Sequence, residues 1–410
     1  MSTTVAELNA VLTADTAQFT AGMAAATGAV STFEKSAAAS FGGMEKQFVK
    51  VGTAMTRWVT GPILLGAGFA IKAFADFERE LDVFQAVSGA TGTEMERVGQ
   101  LAKDLGADLT LPSTSASDAA AAMTELAKAG FTVQQTMSAV KGVLQLSAAA
   151  QIDNARAAQI VAGALKTFNL QASDSVRVVD LLAATANATL ASIEDVAAGF
   201  QNAGGIFASL KIPIEDAAAA LGILINTGVS GAEAGTRLKS MWTNITSNTP
   251  EVAAKLKELN VALFDSQGAL RPMRDIIADV SAAMANLSDQ ERIVAAQTLA
   301  GSYGQDAFNK VLAGGVALWD DMKMKVMEAG AAQKMAEAQT QGLAGQMDAL
   351  WSSIQTLAIT VGQTLAPAFL TLVGAVQDAV NWFASLDPIV RGVLLALAGF
   401  TMILNNASVN

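Results

Sequence analysis

The sequence predicts an all-α protein: an N-terminal coiled-coil-like helix, a compact bundle of short helices with one small β-hairpin, and long C-terminal helices that include an apolar hairpin. Three observations predict this fold. Apolar residues recur every three or four positions, helix-capping sequences precede many of these stretches, and glycines follow where the stretches stop. Changes in this pattern divide the 410 residues into predicted domains 1–75, 76–315 and 316–410.

The N-terminal domain carries a continuous apolar stripe. From residue 19 to residue 58, apolar side chains follow one another at steps of three or four, with one four-residue stutter beside Gly42 and Gly43. Such a stripe is typical of helices that pair into a coiled coil, but it could also pack one helix onto its own domain. The predicted seam residues are Phe19, Met23, Val30, Phe33, Phe48 and Met55.

The middle domain predicts helices of ordinary length that alternate with turns. Several sequences have the spacing of a capping box, in which a Ser or Thr is followed three residues later by an acidic residue or Gln. They begin at Thr93, Ser115, Thr132, Ser192 and Ser288. Two short apolar runs, residues 261–264 and 269–271, flank an Asp-to-Gly turn and predict the β-hairpin.

A weak internal repeat lies within the middle domain. Asp118 precedes four alanines and stands twelve residues before Gly130, and Asp216 has the same relation to Gly228. A looser copy starts at Asp195. Either a helical hairpin was duplicated, or alanine-rich helices resemble one another by chance, and the sequence leaves both explanations open.

The C-terminal domain loses nearly all of its charge. Between residues 349 and 410 only Asp378, Asp387 and Arg391 are charged. The uncharged runs 349–377 and 392–410 are each long enough to cross about 30 Å of hydrocarbon as a helix. They predict a membrane-competent helical hairpin or, alternatively, the apolar core of an oligomer. We expect an oligomeric core in the stored protein and membrane insertion only after release.

The composition excludes most catalytic chemistry. The chain contains no His and no Cys, so it has no thiolate nucleophile, disulfide, cysteine–zinc site or Ser-His-Asp triad. Lys and Arg total 26, Asp and Glu total 37, and the net charge of −11 argues against specific nucleic-acid binding. Residues 231–236 resemble a phosphate-binding loop only superficially, because they lack its lysine. We therefore predict no enzyme activity, no cofactor and no metal site.

Six short segments carry a resemblance to a known family. They are residues 124–130, 144–150, 164–170, 179–187, 228–238 and 259–272. As an ordered set within residues 77–315, they resemble the core of the phage tail tape measure proteins of the TP901 type, and residues 5–35 resemble the start of such proteins. The positions that match the family motifs are Gly130, Asp180, Gly228, Gly231, Gly235, Thr236, Asp265 and Gly268.

The resemblance implies a structural role in a phage tail. Members of the family lie in the lumen of the growing tail tube, scaffold its polymerisation and set its length. The partners implied are further copies of the chain in a homo-oligomer, often a trimer, the tail-tube protein and tail assembly chaperones. Release during genome ejection would bring the apolar segments to the host inner membrane. The implied locations are the host cytoplasm during assembly, the lumen of the virion tail, and the host membrane during infection.

The length of the chain departs from what the resemblance implies. Entirely helical, 410 residues would span about 615 Å. We therefore expect a fragment of a longer protein or an unusually small member of the family. The rival function from another class is a membrane-active helical pore former without a tail. A phage lytic enzyme is disfavoured by the missing His and Cys.

Overall fold

The computed structural model describes residues 63–108, 110–111, 114–340 and 342–385. These residues form fifteen α-helices joined by short loops, with no strand among them, and the predicted all-α fold is confirmed. The predicted N-terminal coiled coil with its seam residues lies outside the described residues, as does the second apolar run, 392–410.

The helices are numbered in chain order. The first seven are α1 Ile63–Ser88, α2 Gly92–Gly106, α3 Ala116–Lys128, α4 Val133–Ala150, α5 Asn154–Thr167, α6 Ser175–Asn187 and α7 Ile193–Ser209. The next five are α8 Ile214–Ile225, α9 Gly231–Ile245, α10 Pro250–Glu258, α11 Met273–Ala285 and α12 Asp289–Ala307. After a π-helical turn, Phe308–Leu312, follow α13 Val316–Val326, α14 Ala331–Thr340 and α15 Leu343–Ser385.

Contacts among the described residues divide them into two units. One unit is Phe77–Thr356, and the other combines the residues up to Asp76 with those from Leu357 onwards. The divisions fall inside α1 and α15. The smaller unit has a core of Ala70, Ala358, Val361 and Leu365. Its helices approach closely, because a Cβ atom on Gly362 would lie only 2.0 Å from the carbonyl oxygen of Ala70.

The larger unit is built from layers of helices. Helices α3, α5, α7, α9 and α12 pack side by side in one layer, and α2, α4, α6 and α8 form a second layer beside it. α13 and α14 then run back over the second layer, so α6 and α8 are covered on both faces. In α8, none of the residues Ile214–Ile225 is exposed, which explains why this helix is apolar on every side after its first turn.

The two main layers repeat with a period of about 39 residues. Helices α3, α5, α7 and α9 begin 38, 39 and 38 residues apart. Equivalent contacts join neighbouring repeats at this separation: Arg156 pairs with Glu194, and Arg177 with Glu215. Helices that contact only their neighbours in sequence order are typical of repeat proteins. The two layers are therefore an array of helix pairs, which we call the repeat array.

The repeat suggested by the sequence is not the repeat of the structure. Asp118 and Asp216 lie in different layers, on α3 and α8, and make different contacts. Asp118 accepts a hydrogen bond from the backbone of Ser115 at 2.9 Å, whereas Asp216 pairs with Lys323 at 2.5 Å. What the two helices share is a high alanine content and largely buried side chains.

Three of the five capping boxes predicted from the sequence are complete in the structure. Ser115, Thr132 and Ser288 begin helices with reciprocal capping boxes. The box predicted at Thr93 lies two residues earlier, where the backbone and side chain of Thr91 both donate to Glu94 Oε2 at 2.9 Å. The same spacing occurs at both threonines, and the upstream copy is used because α1 ends at Ser88 and α2 begins at Gly92.

The β-hairpin expected near residue 264 is reduced to a single antiparallel bridge between Phe264 and Leu270. Asp265 folds the turn: its Oδ1 accepts hydrogen bonds from the backbone of Gln267 at 2.8 Å and of Ala269 at 2.9 Å. Gly268 closes the turn with a φ of 79°. Val261 and Leu263 of the first arm are buried whereas Phe264 is exposed, and an isolated two-stranded hairpin of this length is at best marginally stable.

The compact unit continues past residue 315, where the sequence analysis places a domain boundary. Trp319, Met322 and Val326 of α13 are buried against α6 and α8. Their spacing of three and four residues had the pattern of any amphipathic helix, so the sequence did not distinguish packing on the middle domain from packing elsewhere.

Candidate functional site

Gly231, Gly235 and Thr236 lie together on α9, where it crosses α7. A Cβ atom on Gly231 would lie 2.0 Å from the carbonyl oxygen of Asp195, and one on Gly235 would lie 2.3 Å from that of Gly199. Real Cβ atoms do not approach other atoms so closely. Only glycine at both positions therefore allows the two helix backbones to touch.

Side chains from α7 bond to the α9 backbone at this crossing. Asp195 Oδ2 accepts a hydrogen bond from the Gly231 amide at 2.8 Å. Asn202 Nδ2 donates to the carbonyl of Ala232 at 2.8 Å and to Thr236 Oγ1 at 3.2 Å. Because the Asp195 carboxylate bonds to the α9 backbone, the capping box predicted at Ser192 is only half formed. The half that is present is the hydrogen bond that Ser192 Oγ accepts from the Asp195 amide at 3.1 Å.

Gly228 ends α8 and prepares the start of α9. Its φ of 93° lies in the left-handed region, and its amide donates to the carbonyl of Ile225 at 2.9 Å. Two residues later, Ser230 caps α9 by accepting a hydrogen bond from the Glu233 amide at 3.2 Å. The motif from Gly228 to Thr236 thus encodes one helix end, one helix start and one close crossing.

Asp180 connects α6 to a helix that lies 150 residues further along the chain. Its Oδ2 accepts from the Gly330 amide at 2.9 Å, and its Oδ1 accepts from the Ala332 amide at 3.2 Å. These amides begin α14, so the carboxylate caps the positive end of a helix distant in sequence. This role explains an acidic residue on a helix that is otherwise almost entirely buried.

Gly130 ends α3 with a φ of 87°. The Gly130 amide donates to Ala127 at 2.8 Å and the Phe131 amide donates to Leu126 at 3.1 Å, as in a glycine helix stop. Lys166 of α5 donates to the carbonyl of the intervening Ala129 and lies 5.5 Å from the centre of the Phe131 ring. The motif therefore fixes the junction between neighbouring helix pairs.

The motif residues do not converge on one pocket. Gly231, Gly235 and Thr236 meet at the α7–α9 crossing, whereas Gly130, Gly228 and Asp180 act at three other helix ends. Asp265 and Gly268 form the turn between α10 and α11. Each has a local role in building the fold, and the described residues contain no group of acidic side chains that could hold a metal ion.

Sequence reasoning missed the partners of these residues. Gly199 and Asn202 on α7 complete the crossing, and a spacing of four residues between Gly231 and Gly235 was the signal that could have indicated a close helix contact. A second missed feature is a kink in α12 at Gly301, whose φ is 70° and ψ 165°. Asn244 of α9 donates to the carbonyls of Thr298 and Leu299 at 3.0 and 2.9 Å, and so satisfies groups that the kink frees.

Charged pairs tie α9 to its neighbours. Arg237 contacts Glu233 at 2.6 Å and Asp306 of α12 at 2.5 Å. The hydrogen bonds that Arg237 donates to Glu233 are the main cause that raises the pKa of Arg237, which stays charged. Further along the surface, an open cleft of about 570 Å³ between α11 and α12 contains Asp289 and Arg292, which pair with each other at 3.0 Å.

One helical window within the described residues, Gly345–Ala375 of α15, is long and apolar enough to cross a membrane. It meets this criterion by length and composition alone, and the core helices of soluble proteins meet it too. Pro367 lies inside the window, and the helix continues through it to Ser385.

The known proteins that this chain resembles are all phage tail proteins. Residues 99–301 match the family of phage-related minor tail proteins. A tape measure protein of Pneumococcus phage Dp-1 is 33% identical over 353 residues, which is 85% of this chain and 30% of that protein. A probable tape measure protein of Escherichia phage P2 is 28% identical over 234 residues, 57% of this chain and 28% of that protein. The chain thus spans less than a third of these relatives. No solved structure matches it.

Proposed function

Since the chain belongs to the phage tail tape measure proteins, we propose that it occupies the lumen of the tail tube, scaffolds polymerisation of the tube and sets tail length. The observation that carries this proposal is the alignment with a tape measure protein across most of the chain. The role is structural and involves no catalysis. In keeping with this, the motif residues serve helix ends, a turn and a helix crossing.

In this proposal, tail length is set by residues that lie outside the compact unit Phe77–Thr356. Inside Phe77–Thr356 the helices fold back on one another, so added residues would not lengthen a rod. A continuous helix advances about 1.5 Å per residue. The part of α15 beyond the core residue Phe369 is the described segment best suited to act as ruler, because its residues from Leu370 to Val373 are largely exposed.

The proposed partners follow from the same role. Copies of the chain would associate as a homo-oligomer, a trimer, through the seam of residues 19–58, and the tail-tube protein would polymerise around them. Tail assembly chaperones would protect the apolar C-terminal segments in the host cytoplasm before the tube forms. No specific nucleic acid takes part.

Membrane contact is proposed as a later step, during genome ejection. The window Gly345–Ala375 has the length and composition for it, and only 28% of its most apolar stretch is buried. In the virion the same surface would pack against other copies. A pore former without a tail remains the alternative function, and liposome leakage caused by the isolated chain without tube protein would favour it.

The length of virion tails tests the ruler. We would insert four helical heptads, 28 residues, after Gln377, which is exposed on α15 beyond the compact unit. Helix α14 is unsuitable for the insert because it packs on α4 and α6. Tails should lengthen by about 42 Å in electron micrographs. The same insert in the exposed turn at Gln267 should leave tail length unchanged. Unchanged tails with both inserts would show that this chain is not the ruler.

A further inference from the structure

Residues 316–340, which comprise α13 and α14 and are called the strap here, lie on the repeat array as a separate layer. α13 packs on α8 and α6, and α14 packs on α6 and α4. The inward side chains are fully buried and half of them are small: Trp319, Met322, Val326, Ala331, Ala332 and Ala336. The opposite face is open, and Met324 is 72% exposed.

A few polar contacts latch the strap to the array. Asp180 of α6 accepts the two amide hydrogen bonds at the start of α14. Asp216 of α8 pairs with Lys323 at 2.5 Å. Arg274 of α11 donates two hydrogen bonds of 2.9 Å, from Nε and from Nη2, to the carboxylate of Asp320. The latches are thus charged groups at separate points, not a continuous network.

Glycines with positive φ flank α13, and the chain is anchored on both sides of the strap. Gly315, before α13, has a φ of 93°, and Gly330, between α13 and α14, has a φ of 71°. Upstream, Phe308 and Leu312 of the π-helical turn are fully buried. Downstream, Thr356 accepts from the Ala116 amide and donates to the carbonyl of Gly106, both at 3.2 Å. A strap that lifted would therefore stay tethered and could close again.

The array does not need the strap for its own helix contacts. α6 contacts both α4 and α8, and each of the three contacts helices of the first layer directly. The strap does hide their remaining face. Met322 fits above Gly222, where a Cβ atom would lie 2.8 Å from its Sδ atom. Lifting the strap would break no contact within the array and would uncover a groove of apolar, alanine-rich helices.

We propose that residues 316–340 are a releasable strap, whose opening about Gly315 and Gly330 uncovers the groove along α4, α6 and α8 while the array stays folded. Latch groups at Asp180, Asp216 and Arg274 set how often the strap opens. Segments that open below the global unfolding free energy exchange their amide hydrogens faster than the rest of the fold.

Hydrogen exchange of the full chain tests this proposal. Amides of residues 316–340 should exchange at least tenfold faster than those of α7 and α9. Asp180→Asn removes the charge that caps α14 and should speed strap exchange at least a further fivefold, without changing α7 and α9. The matched control is Asp153→Asn, which removes the charge of the residue that caps α5, where Asp153 Oδ1 accepts from the Arg156 amide at 2.7 Å. This control should leave strap exchange unchanged.

A disulfide provides the complementary test, because the chain has no other cysteine. A Cβ atom on residue 222 would lie 3.4 Å from the Cγ of Met322, close to the position of a cysteine sulfur. Oxidised Gly222→Cys/Met322→Cys should bring strap exchange to within threefold of α7 and α9, and reduction should restore the difference. Equal exchange of the strap and of α7 and α9 in the unmodified protein would overturn the proposal, as would unchanged strap exchange in the oxidised, disulfide-bonded monomer.

Discussion

Gly235 leaves no space for a side chain, whereas Gly205, six residues after Gly199 on the partner helix α7, leaves ample space. A Cβ atom at Gly235 would meet the backbone of Gly199 on three atoms within 3.0 Å, whereas nothing lies within 4 Å of the corresponding position at Gly205. Substituting each glycine in turn therefore distinguishes the effect of close packing from the effect of helix propensity.

Gly235→Ala should destabilise the protein by about 3 kcal/mol or prevent folding, because the α7–α9 crossing must open to admit the methyl group. Gly205→Ala should instead be neutral or stabilise by about 1 kcal/mol, since alanine favours a helix interior. Urea denaturation followed by circular dichroism measures both. Equal effects of the two substitutions would refute the role assigned to the crossing.

Asn244 satisfies the backbone at the kink of α12. Replacing it with alanine leaves the carbonyls of Thr298 and Leu299 without their donor, which should cost about 1–3 kcal/mol. Asn286→Ala is the control, because that exposed amide bonds only within its own helix end, to Ala282. Thermal melts of the two variants should differ by several degrees, and matching melts would contradict the assignment.

At the scale of helices, local signals predicted more than distant ones. Ser115, Thr132 and Ser288 were predicted as caps because a cap is formed by residues three apart in sequence. Asp180 resembled a family motif, but its partners lie 150 and 152 residues away, and no local pattern indicates a bond of that length. The crossing at Gly231 was missed for the same reason: the other half is Asp195 and Gly199, on another helix.

The N-terminal seam remains a prediction about helix pairing. Phe33→Asp with Phe48→Asp would place charges in the apolar stripe and should convert oligomers into monomers. Ser31→Asp with Thr53→Asp adds the same charge off the stripe and should leave the oligomer intact. Light scattering distinguishes the species, and an oligomer that persists in the first variant would count against the seam.

The whole molecule should respond to pH only in the acid range. With no His in the sequence, no side chain has its ordinary pKa between about 5 and 8, so stability should be flat from pH 6 to 8. Below that range, burial opposes the ionised form of Asp108, but hydrogen bonds from Thr110 and Lys141 outweigh it and lower the pKa. The backbone and side-chain hydrogen bonds from Thr91 likewise lower the pKa of Glu94.

A carboxyl whose pKa is lower in the folded than in the unfolded state stabilises the fold above its unfolded pKa of about 4 and loses this contribution as pH falls through the folded pKa. Urea midpoints should therefore fall between about pH 5 and pH 2. Asp108→Asn should make this fall shallower, whereas Asp289→Asn, at a side chain 95% exposed, should not. A midpoint that changed between pH 6 and 8 would contradict the prediction.

The period of about 39 residues also has a mechanical consequence. In an array whose members hold mainly their neighbours, a pull along the chain loads one interface at a time. Drawn from its C-terminal end through an opening too narrow for two layers, the strap would peel away first. The helix pairs would then unfold one after another, and each would release roughly 130 Å of extended chain. Such a molecule would extend lengthwise in even steps, at a force set by one interface rather than by the whole fold.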